Sequence, residues 1–124
     1  MLAFLMVAVG SIGGGLARHH LALLVERRSG NAFPFGILLV NLTGCFLMGF
    51  LLAVAPRQPW LESYGHFIFV GFLGSYTTVS TFSLQTVTLW REGKRVTALA
   101  YALASVTGCM IGVFLGWLAG GGKT

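Results

Sequence analysis

Charge placement constrains this chain more than any other feature. Apart from Arg18 and Lys123, its charged residues fall in three short clusters: Glu26 to Arg28, Arg57 with Glu62, and Arg91 to Arg95. Around those clusters lie four apolar stretches, each close to the ~20 residues a helix needs to cross a hydrocarbon core. In lipid, only helices and closed barrels satisfy every backbone N–H and C=O, and continuous apolar runs of this length select helices. The sequence predicts an all-α membrane protein with four transmembrane helices. They span about 2–25, 33–55, 64–89 and 96–118 of a single transmembrane domain, residues 1–124. Only 9% of residues are charged, against about 25% in soluble domains, so no second, water-soluble domain is expected. No Lys or Arg precedes Arg18, so the first stretch lacks the basic n-region of a signal peptide and reads as a retained helix.

Several function classes drop out. The net charge of +5 sits at helix ends, where lipid head groups and topology explain it, and no basic patch is interleaved with exposed aromatics. The expected partner is the lipid bilayer, not nucleic acid. An enzyme is not expected, because the chain has no Asp, no acid inside a span, and no Ser-His-carboxylate or metal-ligand set. Cys45 and Cys109 lie in separate apolar stretches without a CxxC pair and read as small buried hydrophobes. His19, His20 and His66 show no ligand spacing with a Cys or a carboxylate. Loops one and three share a side and hold Arg27, Arg28, Arg91, Lys94 and Arg95, whereas the other side holds Arg57 and Lys123. The positive-inside rule places loops one and three in the cytoplasm and both termini outside. The bias is modest, which leaves room for a fraction of chains inserted the other way up.

Within the third span, residues 71–86 do not read as a plain lipid-soluble helix. Gly71 and Gly74 open the stretch, and Ser75, Thr77, Thr78, Ser80, Thr81 and Ser83 come after them. β-Branched and hydroxyl side chains lower helix propensity, and the hydroxyls compete for backbone hydrogen bonds. Two readings compete. The helix breaks in mid-membrane, which lipid tolerates only if the irregular backbone is buried in protein or faces a watery cavity. Or it stays continuous and uses small residues for close packing and hydroxyls for interhelical bonds. The predicted span is longer than a straight crossing needs, so it has room for an unwound turn.

The other spans carry features of the same kind. Gly10, Gly13, Gly14 and Gly15 form a close-approach face on the first helix, and Arg18 interrupts its second half. Arg18 either snorkels to the head groups or faces an aqueous vestibule that attracts anions. Asn41 is the one amide in an otherwise apolar second span, so it faces protein or water; it is interhelical glue or an anion donor. Ala55 to Ser63 reads as a loop around Pro56 and Pro59. On the fourth helix Ala100, Ala104, Gly108, Gly112 and Gly116 form a small-residue stripe, beside a second row of Tyr101, Ser105 and Cys109. Gly120 to Thr124 reads as a frayed tail.

Taken together, these stretches resemble the Fluc, or CrcB, fluoride-channel family, whose signature is a Gly-rich turn leading into TTFSTF. Besides residues 71–86, the resemblance rests on Gly14-Gly15-Leu16-Ala17-Arg18, on Phe33-Pro34-Phe35-Gly36 leading to Val40-Asn41, and on Tyr101 through Gly108. It implies an antiparallel, dual-topology homodimer in the cell inner (plasma) membrane, with the third helix broken mid-membrane and two narrow anion pores along the subunit interface. It also implies a structural Na⁺ on the dimer axis, held here by the backbone carbonyls of Gly74 and Thr77. The anion pathway it carries over comprises Asn41, Ser80, Thr81, Phe82, Tyr101 and Ser105. Arg18 joins them as a vestibule candidate, and Val79 as the residue standing where the family has its first Phe. We expect the glycine-rich faces of helices one and four to pack the dimer.

The implied function is a fluoride-selective passive anion channel that exports cytoplasmic fluoride and relieves its toxicity. Ser, Thr and Asn supply the donors that replace a small anion's water shell, and the partial positive charge at an aromatic edge lets Phe82 touch it. The chain departs from the family pattern at Val79, Gln85, Ile37 and Cys109, which thins the polar track and removes one ring from each pore. Conduction through a modified path is the expectation. Two alternatives stand beside it. One is a proton-coupled small multidrug-type exporter, which would use an acid in the first helix, where Glu26 lies only at the end. The other is a non-conducting subunit of a heterodimeric channel.

Overall fold

The computed structural model describes residues 1–29, 33–77 and 79–122, with the backbone alone at Ser29, Val79 and Ser80. Helix α1 covers Leu2–Ser29, and α2 covers Phe35–Val54 and tightens into a 3₁₀ turn, Ala55–Arg57. The third span is composite: α3, Pro59–Gly65; a π-helical segment, His66–Leu73; the single turn α4, Gly74–Tyr76; and α5, Val79–Arg91. Helix α6 covers Arg95–Ala119, and no strand occurs among the described residues. Four stretches are long and apolar enough to cross a membrane: Leu2–Arg28, Phe35–Arg57, Pro59–Arg91 and Arg95–Ala119.

The helix ends differ from the sequence expectation in ways that local chemistry explains. Helix α1 continues through Glu26, Arg27 and Arg28, where a turn was expected. Both arginines fall in its last turn, where cations complement the exposed carbonyls of a helix C-terminus. Helix α3 begins at Pro59, inside the expected loop, because proline at a helix's first position sacrifices no hydrogen bond. Glu62 in that first turn favours the same start. The expected turn of Arg91 to Arg95 is present, closed by Gly93 at φ +83°.

The glycine tail is an ordered cap. Gly121, at φ +82°, donates its N–H to the Leu118 carbonyl, and Gly122 donates to that of Trp117 at 2.8 Å. This pair of bonds around a left-handed glycine satisfies carbonyls that a helix end otherwise leaves open. Arg57 completes the seal, its Nη2 donating to the Gly120 carbonyl at 2.7 Å and to that of Ala53 at 3.3 Å. One guanidinium thus closes the C-terminal ends of α2 and α6, which run parallel because they are two spans apart in an up-and-down chain. Lys123 and Thr124 lie outside the described residues.

Helices α2 and α6 form the most extensive packing, and α1 against the π-helical segment the next. Glycines allow both. A methyl group at Gly49 would strike the Val113 carbonyl, and one at Gly116 that of Phe46. At Gly112 it would sit 3.3 Å from the Leu42 carbonyl. On α1, Gly10 and Gly14 lie against the backbone of Phe67 and Phe72, and the Phe72 ring covers Gly13 at 3.5 Å. These contacts correct one expectation. Gly10, Gly13 and Gly14 of helix one and Gly108, Gly112 and Gly116 of helix four are occupied within the chain, and of the expected faces only Gly15 and Ala100 stay open to a second copy. A stripe of small residues says how closely a backbone can approach, not which backbone arrives.

Candidate functional site

The site begins with Asn41 on α2, 7% exposed. One turn later comes Gly44, whose missing side chain leaves room for the third span. A Cβ there would clash with the Thr77 methyl and stand 3.1 Å from the Tyr76 ring. Tyr76 and Thr77 therefore press directly on α2 beside Asn41. The Tyr76 and Thr43 hydroxyls are 2.9 Å apart. Thr43 directs its own hydroxyl to the Leu39 and Val40 carbonyls at 2.9 and 3.0 Å, so Tyr76 is the donor to Thr43. The Tyr76 ring stacks on Phe72, with 9° between planes, and is buried with Ala22, Ile37 and Val40.

This anchorage holds an irregular backbone. The α4 turn ends at Tyr76, and Thr77 is extended at φ −83°, ψ 150°. The Thr77 N–H and hydroxyl both reach back to the Leu73 carbonyl, at 3.0 and 2.9 Å. Gly74 has open space beside its Cα, the nearest atom to an added methyl being the Phe69 carbonyl oxygen at 3.7 Å.

The opposite wall comes from α5 and α6. Tyr101 is fully buried, among Leu89, Ala98, Phe33, Leu38 and Phe82. Its hydroxyl donates to Gln85 Oε1 at 2.8 Å, which ties α6 to α5 and fixes the ring. Phe82 packs on that ring with centroids 5.5 Å apart. One turn beyond Tyr101 on the same face, Ser105 is 4% exposed, and its hydroxyl has no hydrogen-bond partner. Buried hydroxyls are normally paired, so this one is available to a guest.

A single cleft of about 560 Å³ joins these walls. Asn41, Gly74, Thr77, Phe82 and Ser105 line it, together with Cys45, Val106 and Cys109. Five residues singled out in the sequence thus converge, from three spans. Tyr101 stands behind Phe82 and outside the lining. Thr81 is half-buried and does not line the cleft, and Arg18 is half-buried on α1, away from it. The side chains of Val79 and Ser80 lie outside the described residues. The lining holds an amide and two hydroxyls in apolar surroundings, with no charged residue. Such a cleft can offer donors to a small anion without competition from a carboxylate.

Sequence reasoning placed Gly44 near Asn41 but did not pair it with Tyr76, the contact that sets the extended Thr77 against α2. The signal available was Gly44 one turn after Asn41. It also noted Gln85 only as a departure, whereas it is the partner of Tyr101; nothing in a separation of 16 residues announces that bond.

Residues 5–117 match the family described as CrcB-like protein, Camphor Resistance (CrcB). The chain is 45% identical over 107 residues to the fluoride-specific ion channel FluC of a Synechococcus strain, covering 86% of this chain and 80% of the relative. It is 43% identical over 124 residues to a FluC 2 of Bradyrhizobium diazoefficiens, covering 94% and 87%. With a FluC 2 of Moorella thermoacetica it shares 42% identity over 120 residues, covering 97% and 98%. With four spans long and apolar enough to cross a bilayer, this chain is a multi-pass membrane protein that belongs to the CrcB-like family.

Proposed function

We propose that this chain is a fluoride-selective passive channel that carries cytoplasmic fluoride out of the cell across the inner (plasma) membrane. The observation that carries the reading is the cleft, where Asn41, Phe82 and the unpartnered hydroxyl of Ser105 meet. The relatives' names, which specify fluoride channels, supply the ion. Fluoride is small and strongly hydrated, so a path must replace its water with donors. Asn41 NH₂ and Ser105 O–H are donors, and the Phe82 edge carries partial positive charge. Passive flow suffices, since an inside-negative potential drives a monovalent anion outward by about 2.3 kcal/mol per 100 mV. The exporter alternative has less support, because Glu26, Glu62 and Glu92 all lie at or near span ends.

The working unit in this reading is an antiparallel, dual-topology homodimer with its third span broken at Thr77. Three features support it. The cleft is not enclosed by this chain alone, the charge bias between the two faces is modest, and Thr77 is extended between helical segments. The seat of the second copy is then the cleft side, not the occupied glycine faces. Gly74 and Thr77 fit half of a Na⁺ site. Hard cations take oxygen ligands, Thr77 has left helical geometry, and Gly74 is unobstructed. Two carbonyls are fewer than such an ion takes, so a second copy would supply the rest. Bound there, Na⁺ supplies fixed positive charge that holds the two broken spans together.

The test is fluoride efflux from liposomes containing only this protein, with chloride as control and with sodium or an organic cation as the salt. Fluoride efflux without chloride efflux, lost when sodium is removed, is expected. Equal movement of both ions, or of neither, overturns the channel reading, and indifference to sodium removes the ion site. Crosslinks found only between parallel chains would refute the arrangement.

A further inference from the structure

We propose that Cys45 and Cys109 form a two-thiolate site for a soft divalent metal ion, bridging α2 and α6 at the wall of the cleft. In the sequence the two cysteines lie in different spans and have no spacing in common with a metal motif. The fold changes their meaning. Both thiols are free, both are half-buried, and both line the same cleft. Their side chains are close enough to interact directly. An independent contact agrees: a Cβ on Gly112, one turn past Cys109, would lie 3.6 Å from the Cys45 Cβ. The glycine packing of α2 on α6 thus sets the two cysteines on adjoining helices at the same cleft.

The donor set selects the ion. No group of three or more His, Cys, Asp or Glu side chains occurs among the described residues, so a four-coordinate zinc site has no ligands here. Soft ions accept thiolates, and a two-coordinate thiophilic ion needs nothing more. Charge refines the choice. Each thiol releases one proton to the water of the cleft as its sulfur binds, and each displaces one chloride when the ion arrives as its dichloride. Two thiolates on a divalent ion make a neutral complex, whereas on a monovalent ion they leave a net negative charge that apolar surroundings penalise. Mercuric ion meets both requirements, and neutral mercuric chloride can reach a site at membrane depth. Cys45 and Cys109 each stand one turn after Asn41 and Ser105, so a bridged ion would sit beside the two donors. Its effect on ion flow rests on the channel reading above; its binding does not.

The experiment titrates the purified full-length protein with mercuric chloride, reading bound metal by intact mass and thiolate-to-mercury absorbance. Fluoride efflux is measured in parallel. Cys45→Ala, Cys109→Ala and the double variant are compared with the wild type. The site predicts one ion per chain in the wild type and none in the double variant. Each single variant should bind at least ~10–100-fold more weakly, the range that even outer-shell changes cost a metal site. Two ions per chain in the wild type, or a single variant that binds as tightly, would overturn the bridge. Block of efflux in the wild type but not in the double variant supports a bridged ion beside the anion path. Bridged binding with unchanged efflux keeps the metal site and refutes the cleft as that path.

Discussion

The α2–α6 pair and the third span use glycine for opposite ends. In the pair, Gly49, Gly112 and Gly116 let two continuous helices touch backbone to backbone, and Arg57 seals both C-termini. In the third span, Gly71 packs against α1, whereas Gly74 stands in open space just before the backbone turns extended at Thr77. The difference lies in the residues downstream of each glycine. Around Gly112 and Gly116 the sequence neighbours are apolar. After Gly74 come Ser75, Tyr76 and Thr77, and the Thr77 hydroxyl takes the Leu73 carbonyl alongside its own N–H. Close packing makes a rigid wall in one region, and in the other the backbone leaves helical geometry at Thr77. The cleft forms where the two meet.

The harshest way to break the comparison is to spoil the rigid wall. Gly116→Leu drives a side chain into the Phe46 carbonyl, where neither backbone can yield. Loss of at least ~1–3 kcal/mol is expected, with little folded protein recovered in size-exclusion chromatography. A folded, monodisperse variant would show that the α2–α6 backbones are not in close contact.

Next come the cleft residues, whose removal should spare the wall and stop the function. Phe82→Ile is expected to abolish fluoride efflux while the protein elutes unchanged. Ser105→Ala, which removes the unpartnered hydroxyl, should slow efflux about tenfold, equal to ~1.4 kcal/mol in the barrier. Asn41→Ala should be at least as severe. Normal efflux from both Phe82→Ile and Asn41→Ala would reduce these residues to packing.

Smaller effects sharpen the comparison. Tyr76→Phe deletes the bond to Thr43 that ties the interruption to α2, and should cost about 0.5–1.5 kcal/mol of stability. In a double-mutant cycle with Thr43→Val the two changes should be non-additive; strict additivity would deny the bond. Smallest, Arg57→Gln removes the charge at the shared C-terminal end and should cost about 0.3–1 kcal/mol, less at high salt. A loss that salt does not diminish would mean that Arg57 acts through packing alone.

The sequence by itself determined the number of spans, and it marked residues 71–86 as the stretch where a break and a continuous helix compete. Both come from local physics. A run of apolar residues must satisfy its backbone internally in lipid, and a cluster of hydroxyls after glycine undermines that satisfaction within a few residues. It also singled out Asn41 as an amide in an apolar run and Ser105 as a hydroxyl beside the small-residue stripe, whereas Phe82 came only from the family resemblance; that the three meet in one cleft was not visible. Only tertiary structure decided which backbone each glycine row meets, since the stripe on α6 is the same whether it faces α2 or a second chain. The same holds for Gln85 accepting from Tyr101, Arg57 closing two helix ends, and Cys45 sharing a cleft with Cys109. Each joins residues from different spans, and helical periodicity sets the face a residue lies on but not the partner that face will meet.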